Sequence, residues 1–323
     1  MPASGSMQLV VTIDVEEEGL FSGAYDAKDA PVENVPHLTR LDPILREWGI
    51  KPTLLVTYRV AEHKPHQELL LSLRDKWRGE IGAHLHHWNT PPLESLPYPQ
   101  PVPSELMPTE LLEAKTASLL EALGQMSVKP VSFRMGRFNL GPKMLSILEK
   151  SGFQVDSSIC PMHRYYGGPD HLYAKTDPYF PDTADPCVSG NSSILEAPLT
   201  VLPLTPDLGR VLHRWTGQSK ALAKGVSWFA MNLGSLPVQP AWTGLGRLKA
   251  AVRLHRGRGG KVLTMFFHSS ELLPGASPVH RTQEDVDRFL NKLQSFFGWL
   301  HTSANVDSVT LAELGRLYPG PEG

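Results

Sequence analysis

Five short apolar runs in this chain each end in a residue able to do chemistry, and that register constrains the fold more than any other feature. Residues 8–15 (QLVVTIDV) are rich in β-branched side chains without polar alternation. That is the pattern of a strand buried on both faces of a parallel sheet. Asp14 interrupts this run before it ends, and Glu16, Glu17, Glu18 and Gly19 follow. Residues 80–84, 131–133, 153–158 and 261–267 are the other runs. They end at His84 with His86, at Arg134, at Asp156 and at His268. Helically spaced segments between the runs give a βαβαβ rhythm, which predicts parallel strands with helices outside. In a closed or nearly closed parallel barrel, those strand ends meet at one face.

His84, His86 and His87 fall within four residues, just before Trp88 and the proline pair Pro91-Pro92. On a strand the side chains alternate, so His84 and His86 share a face and His87 takes the other. Two imidazoles one pleat apart suit a divalent cation such as Zn, Ni, Co or Fe. Further ligands must come from elsewhere in the chain, and carboxylates are the candidates. Alone, a His-x-His pair reads as surface histidines at a strand end. Asp14 and Glu16 share a face by the same parity, whereas Glu17 and Glu18 read as a charged loop capping the strand. Arg134 and Arg137 flank Gly136 and suit a carboxylate or anion in bidentate geometry, or else form a solvated turn. A buried Asp14 needs a cationic partner, so Arg134 is expected within hydrogen-bonding distance.

Helices are predicted at residues 35–48, 67–78, 109 onward with Thr109 as N-cap, 142–151, 284–300 and 311–317. Residues 91–108 form a proline-rich loop long enough to be a functional flap. A second long loop, 160–192, carries Tyr165, Tyr166, Tyr173, Tyr179 and Phe180, which could line a sugar groove. Residues 206–258 are the least readable, a helical insertion with Gly and Pro breaks. With 323 residues, 41% hydrophobic and 20% charged, the chain can bury one large α/β core over residues 8–323. Residues 1–7 read as a flexible lead.

The formal net charge of −2 supplies no whole-protein field for nucleic acid or an anionic membrane. A basic cluster at 247–261, with Arg253, Arg256 and Arg258, reads as a solvated amphipathic helix; a phosphate-binding surface is the alternative. Two cysteines, Cys160 and Cys187, exclude a disulfide framework and a thiolate metal site. No secretory leader and no apolar run of about 18 residues is found, so a cytoplasmic protein without an integral membrane segment is expected.

In this order the motifs resemble the polysaccharide deacetylase family (NodB-homology, carbohydrate esterase family 4), over roughly residues 9–317. Thr12-Ile13-Asp14-Val15-Glu16 resembles the family's Thr-Phe-Asp-Asp-Gly. Glu80-Ile81-Gly82-Ala83-His84 resembles its Glu-Ile-Gly segment and first histidine. Arg134-Met135-Gly136-Arg137-Phe138 resembles its Arg-x-x-Pro-Tyr/Phe, Asp156 its strand-tip Asp, and Phe266-Phe267-His268 its Leu-x-His. Val15 stands where the family has a second Asp, and Trp88 where its second His would fall. Such variation is similar to the WalW-type subgroup. The resemblance implies a distorted (β/α) barrel of about seven parallel strands. It also implies metal-dependent removal of an N-acetyl group from a sugar or polysaccharide precursor. The cation, Zn first and Co, Ni or Fe as alternatives, would be held by His84, by His86 (or His87) and by Glu16 (or Asp14). Asp14 would be the general base, oriented by Arg134. His268 would be the general acid, oriented by Asp156, with Arg137 and Trp88 on the substrate. Two rival readings stay open. One is a same-fold hydrolase of a cyclic imide or ureide, with residues 91–108 closing a deep pocket. The other is a barrel that binds carbohydrate or a partner protein without catalysis.

Overall fold

The structure, a computed structural model, describes residues 6–23, 25, 29–164, 168–216 and 220–320, with backbone only for 220–224. The strands are β1 (Met7–Val15), β2 (Pro52–Val56), β3 (Glu80–Leu85), β4 (Ser132–Met135), β5 (Val155–Asp156), β6 (Leu195–Glu196), β7 (Val201–Pro203), β8 (Ser235–Pro237), β9 (Val262–His268) and β10 (Val306–Ser308). Met7, placed in the lead by the sequence, already pairs with Val306. β1 is the hub. One edge pairs with β9 from Gln8↔Val262 to Asp14↔His268, and the other with β10 and then β2. β2 to β6 follow in chain order, and every pairing in this sheet is parallel. Between β6 and β9 the wall is bridged by Thr200, beyond the end of β6, whose N donates to Thr264 O of β9 at 3.0 Å. The result is a distorted barrel of seven parallel strands, β1–β6 and β9, with β10 as a short eighth.

All nine residues of β1 are buried, and its two faces go to different places. Leu9, Val11 and Ile13 join the large core shared with the outer helices, whereas Val10 packs with Leu55, Val155, Leu195 and Val262. Leu311 and Leu314 of α10 (Leu311–Leu317) complete that second cluster. Val10 therefore begins an even-numbered series whose next members, Thr12, Asp14 and Glu16, approach the opposite end of the barrel.

The outer helices are α1 (Asp42–Glu47), α2 (Tyr58–Glu62), α3 (Lys64–Trp77), α4 (Thr109–Gln125), α5 (Pro142–Lys150), α6 (Leu208–Thr216), α7 (Lys220–Asn232), α8 (Leu245–Gly257) and α9 (Gln283–Ser303). The helix expected at 35–48 is split into a 3-10 stretch, Val35–Leu41, and α1. Pro43 has no N–H to continue one helix through the junction. Thr109 is the first residue of α4, and Pro108 holds the cap position without a side-chain bond. True capping boxes occur at Thr282 with Asp285 and Thr310 with Glu313. The segment read as a helical insertion resolves into a hairpin of α6 and α7 held between the antiparallel strands β7 and β8, followed by α8 packed on α9. No disulfide joins Cys160 and Cys187.

Candidate active site

At the centre lies Arg134, whose side chain is fully buried on β4. Nε donates to Ser157 O at 2.7 Å and one terminal nitrogen to Ser157 Oγ at 2.9 Å. The other reaches Thr12 Oγ1 at 2.9 Å and Asp14 Oδ1 at 2.6 Å. The rings of Phe138 and Phe266 each lie 5.6 Å from its guanidinium carbon. The expected Asp14–Arg134 bond is present, and the fork that makes it is pinned by its other bonds. Asp14 Oδ2 is left facing the site, 3.9 Å from both His84 Nε2 and His268 Nε2.

Glu16, His84 and His86 come together as a buried cluster. His84 Nε2 and His86 Nε2 are 3.0 Å apart, and Glu16 Oε2 lies 3.6 and 3.3 Å from them. Four-coordinate zinc with bonds of about 2.0–2.1 Å separates adjacent ligand atoms by roughly 3.3 Å, so the triangle fits such an ion. Two imidazoles and one carboxylate are a donor set for Zn, Co, Ni or Fe. His84 Nδ1 meets Arg134 O at 3.0 Å, which leaves Nε2 for the cluster. Burial alone would raise the Glu16 carboxyl, but His268, His84 and His86 outweigh it and hold the group well below the usual range. His87 points away, lining a separate cavity with Val102 and Lys115. Its burial pushes its imidazole down to about 3.

Glu17 corrects the reading of a solvated cap. It is 1% exposed, and its Oε1 meets His86 Nδ1 at 2.7 Å and also accepts from Asn89. Thr57 Oγ1 donates to Oε2 at 3.2 Å. A carboxylate on the far nitrogen fixes the tautomer and tilt of a metal-ligating histidine. Trp88 stacks on the His86 ring at 4.3 Å. Gly136 makes this packing feasible, since a Cβ there would lie 2.7 Å from His86 Cδ2 and 2.8 Å from Leu85 O. The next two residues, Arg137 and Phe138, have φ of 55° and 54°. This left-handed, strained backbone accompanies Phe138 on Arg134 and Arg137 at the cavity wall.

The expected partnership of Asp156 with His268 is not formed. His268 Nδ1 meets Glu271 Oε1 at 3.0 Å, a residue the sequence reading passed over although it lies three positions on. Burial would lower His268, but Glu16, Glu271 and Asp14 push it up to about 9. Asp156 accepts from Ser158 N and Oγ and sits opposite Glu196 across β5 and β6. Burial raises both carboxyls. Their mutual repulsion adds to the rise at Glu196. This acid pair lies beside the Arg134 anchor, because Asp156 and Ser157 are consecutive.

Above the cluster opens a cavity of about 550 Å³ whose floor includes Asp14, Glu16, His84, His86 and His268. Its walls are largely apolar and aromatic, with Phe21, Tyr25, Trp88, Phe138, Phe266 and Trp242 among them. Residues 91–108 do not reach it. Their start is held instead by Lys115, whose buried ammonium donates to Thr90 O and Pro92 O, each at 2.6 Å. Nor do Tyr173, Tyr179 and Phe180 line it, while Tyr165 and Tyr166 lie outside the described residues. The far wall comes from the section that was hardest to read, with Met231, Ser235, Trp242 and Arg247.

No protein-family model matches the chain, and a search of curated proteins finds no match. Solved structures do match. A protein described as a polysaccharide deacetylase, from Mycobacterium smegmatis, aligns over 100% of this chain and 96% of its own at a TM-score of 0.59, with 18% identity. A protein described as a glycoside hydrolase/deacetylase, from Parabacteroides distasonis, aligns over 98% and 72% at 0.61, with 14% identity. The fold is that of the polysaccharide deacetylases. A 4-alpha-glucanotransferase from Thermococcus litoralis also matches, at a TM-score of 0.56 and 13% identity, over 97% of this chain and 41% of that one. A polysaccharide-deacetylase fold therefore leaves the reaction to be argued from the side chains.

Proposed function

We propose that the chain is a metal-dependent deacetylase acting on an N-acetyl group of a sugar or polysaccharide precursor. The observation that carries this reading is the Glu16–His84–His86 triangle, set beside Asp14 and His268 at the floor of one cavity. A divalent cation held there, Zn first, would polarise the acetyl carbonyl and ease ionisation of water. Asp14 Oδ2, its carboxylate fixed by Arg134 through Oδ1, takes a proton from the attacking water. His268 is protonated at neutral pH, with Glu271 on Nδ1, and gives its proton to the departing nitrogen. Water oxygen bonds to the acetyl carbon, the C–N bond breaks, and acetate and a free amine leave. The aromatic walls suit the apolar faces of a sugar ring and the acetyl methyl. The small-amide alternative relied on a lid from residues 91–108, which lies elsewhere. The departures at Val15 and Trp88 resemble the WalW-type subgroup, and two cysteines without a disulfide suit a reducing cytoplasm.

The test is acetate release from a panel of N-acetylated sugars by metal-stripped protein reconstituted with Zn, Co or Ni. Turnover is expected only with metal. His268→Ala should lose roughly 10²–10⁴-fold in kcat while elemental analysis finds unchanged metal content. Metal bound at full occupancy without acetate release from any sugar would leave a binding barrel instead.

A further inference from the structure

Ten of the 31 Lys and Arg residues fall between positions 208 and 270, where no Asp or Glu occurs; the rest of the chain carries 21 cations against all 33 carboxylates. The near-neutral total hides this separation. The same stretch bears large apolar side chains in solvent. Trp215 is 56% and Trp228 61% exposed, with Val211, Phe229 and Leu233 also exposed. On α6, Arg210, Val211, Arg214 and Trp215 share the solvent side while Gly209, Leu212 and Thr216 are buried. α6 packs against α7, so the aromatics of both belong to one hairpin. Met231 and Asn232 at the end of α7, with Trp242 and Arg247 beyond, line the cavity described above.

We infer that the α6–α7 hairpin and the adjoining cavity rim dock on the surface of an anionic lipid bilayer. Tryptophan suits the boundary between headgroups and acyl chains, and basic residues beside it are attracted by anionic lipids. The helix lies in the interface. Its 13 residues span about 20 Å, short of a hydrocarbon core of about 30 Å. Among the described residues no helix is long and apolar enough to cross a membrane. A nucleic acid would use the cations but gives Val211 and Leu233 no partner. A second copy of the chain would bring two faces of the same sign together, which disfavours that contact. Docking does not depend on the reaction assigned above.

The experiment is sedimentation of the full chain with phosphatidylcholine vesicles, with and without phosphatidylglycerol at about one third of the lipid. Binding is expected to the anionic vesicles and should weaken sharply at about 0.5 M salt. Arg210→Gln with Arg214→Gln should lower the partition coefficient roughly tenfold or more. Trp215→Ser with Trp228→Ser should lower it at every salt concentration, and both pairs should leave the melting temperature unchanged. Equal binding to neutral and anionic vesicles, or none to either, overturns the inference. So does binding to single- or double-stranded DNA without vesicle binding, or a dimer lost in the same variants without vesicle binding.

Discussion

At the scale of single residues, His268 and Glu271 set the proton inventory of the site. Burial would lower His268, but Glu16 and then Glu271 push it to about 9. A bound cation offsets the Glu16 contribution, so Glu271→Gln reads the Glu271 share. Its loss should move the alkaline limb of kcat to lower pH, within the interval from about 9 toward about 6.5, and reduce kcat at pH 7 by at most about fourfold while reducing it roughly tenfold or more at about pH 8–9. The linkage has a definite sign. A raised histidine contributes stability that is complete below its unfolded value and lost as pH rises through the folded one. Urea stability of the variant should therefore fall less between pH 6 and 9 than that of the parent, and an identical pH profile would remove Glu271 from the mechanism. Asp14, His84 and His268 were legible because each interrupts or ends an apolar run. Glu17 was not, since three successive glutamates look like a solvated turn. Its burial depends on Thr57, His86, Trp88 and Asn89, brought from other segments. The sequence pairs Asp156 with His268, but the residue opposite it is Glu196, which enters from a two-residue strand that leaves little pattern.

Among the elements, the turn after β4 has the least slack. A methyl group on Gly136 would collide with His86, Trp88 and the Leu85 carbonyl, and that backbone oxygen cannot swing aside. Gly136→Ala should lower the melting temperature by about 2–10 °C, from an overpacking cost of about 1–3 kcal/mol, and weaken metal binding by displacing His86. Gly124→Ala in α4 is the control. Nothing lies within 4 Å of its Cβ position, and alanine favours a helix, so stability should hold or rise. A melting temperature in Gly136→Ala as high as in the control would mean that the turn yields freely. Strands β1 and β9 could be read from composition because burial on both faces leaves an unbroken apolar run. β5 and β6 could be placed only as longer strands, since two paired residues leave little pattern. The 91–108 loop was misread for a related reason, as its anchor Lys115 sits in a helix whose other buried residues are largely apolar.

For the whole molecule, metal and folding should be linked. A cation that binds only the native chain stabilises it by about 2.7 kcal/mol at a hundredfold excess over Kd, or roughly 5–10 °C in melting temperature. Burial would lower His86, but Glu17 and Glu16 push it up to about 10, so in the metal-free chain it is protonated at neutral pH. The contribution of that proton to metal-free stability is complete below about 6.5 and is lost as pH rises through about 10. A cation must displace the proton, so the thermal gain should be larger at pH 8 than at pH 6. Calorimetry with Zn, Co and Ni measures it; no gain at pH 8 with any of them would remove the metal site. The central position of β1 bears on synthesis as well. Its pairing partner β9 ends at His268, more than 200 residues after β2 ends at Val56. At about 5–20 residues per second, β1 and β2 leave the ribosome roughly 10–40 s before that edge can be covered. During that interval an apolar strand edge stands unpaired and open to wrong pairing, a hazard that ends when β9 emerges.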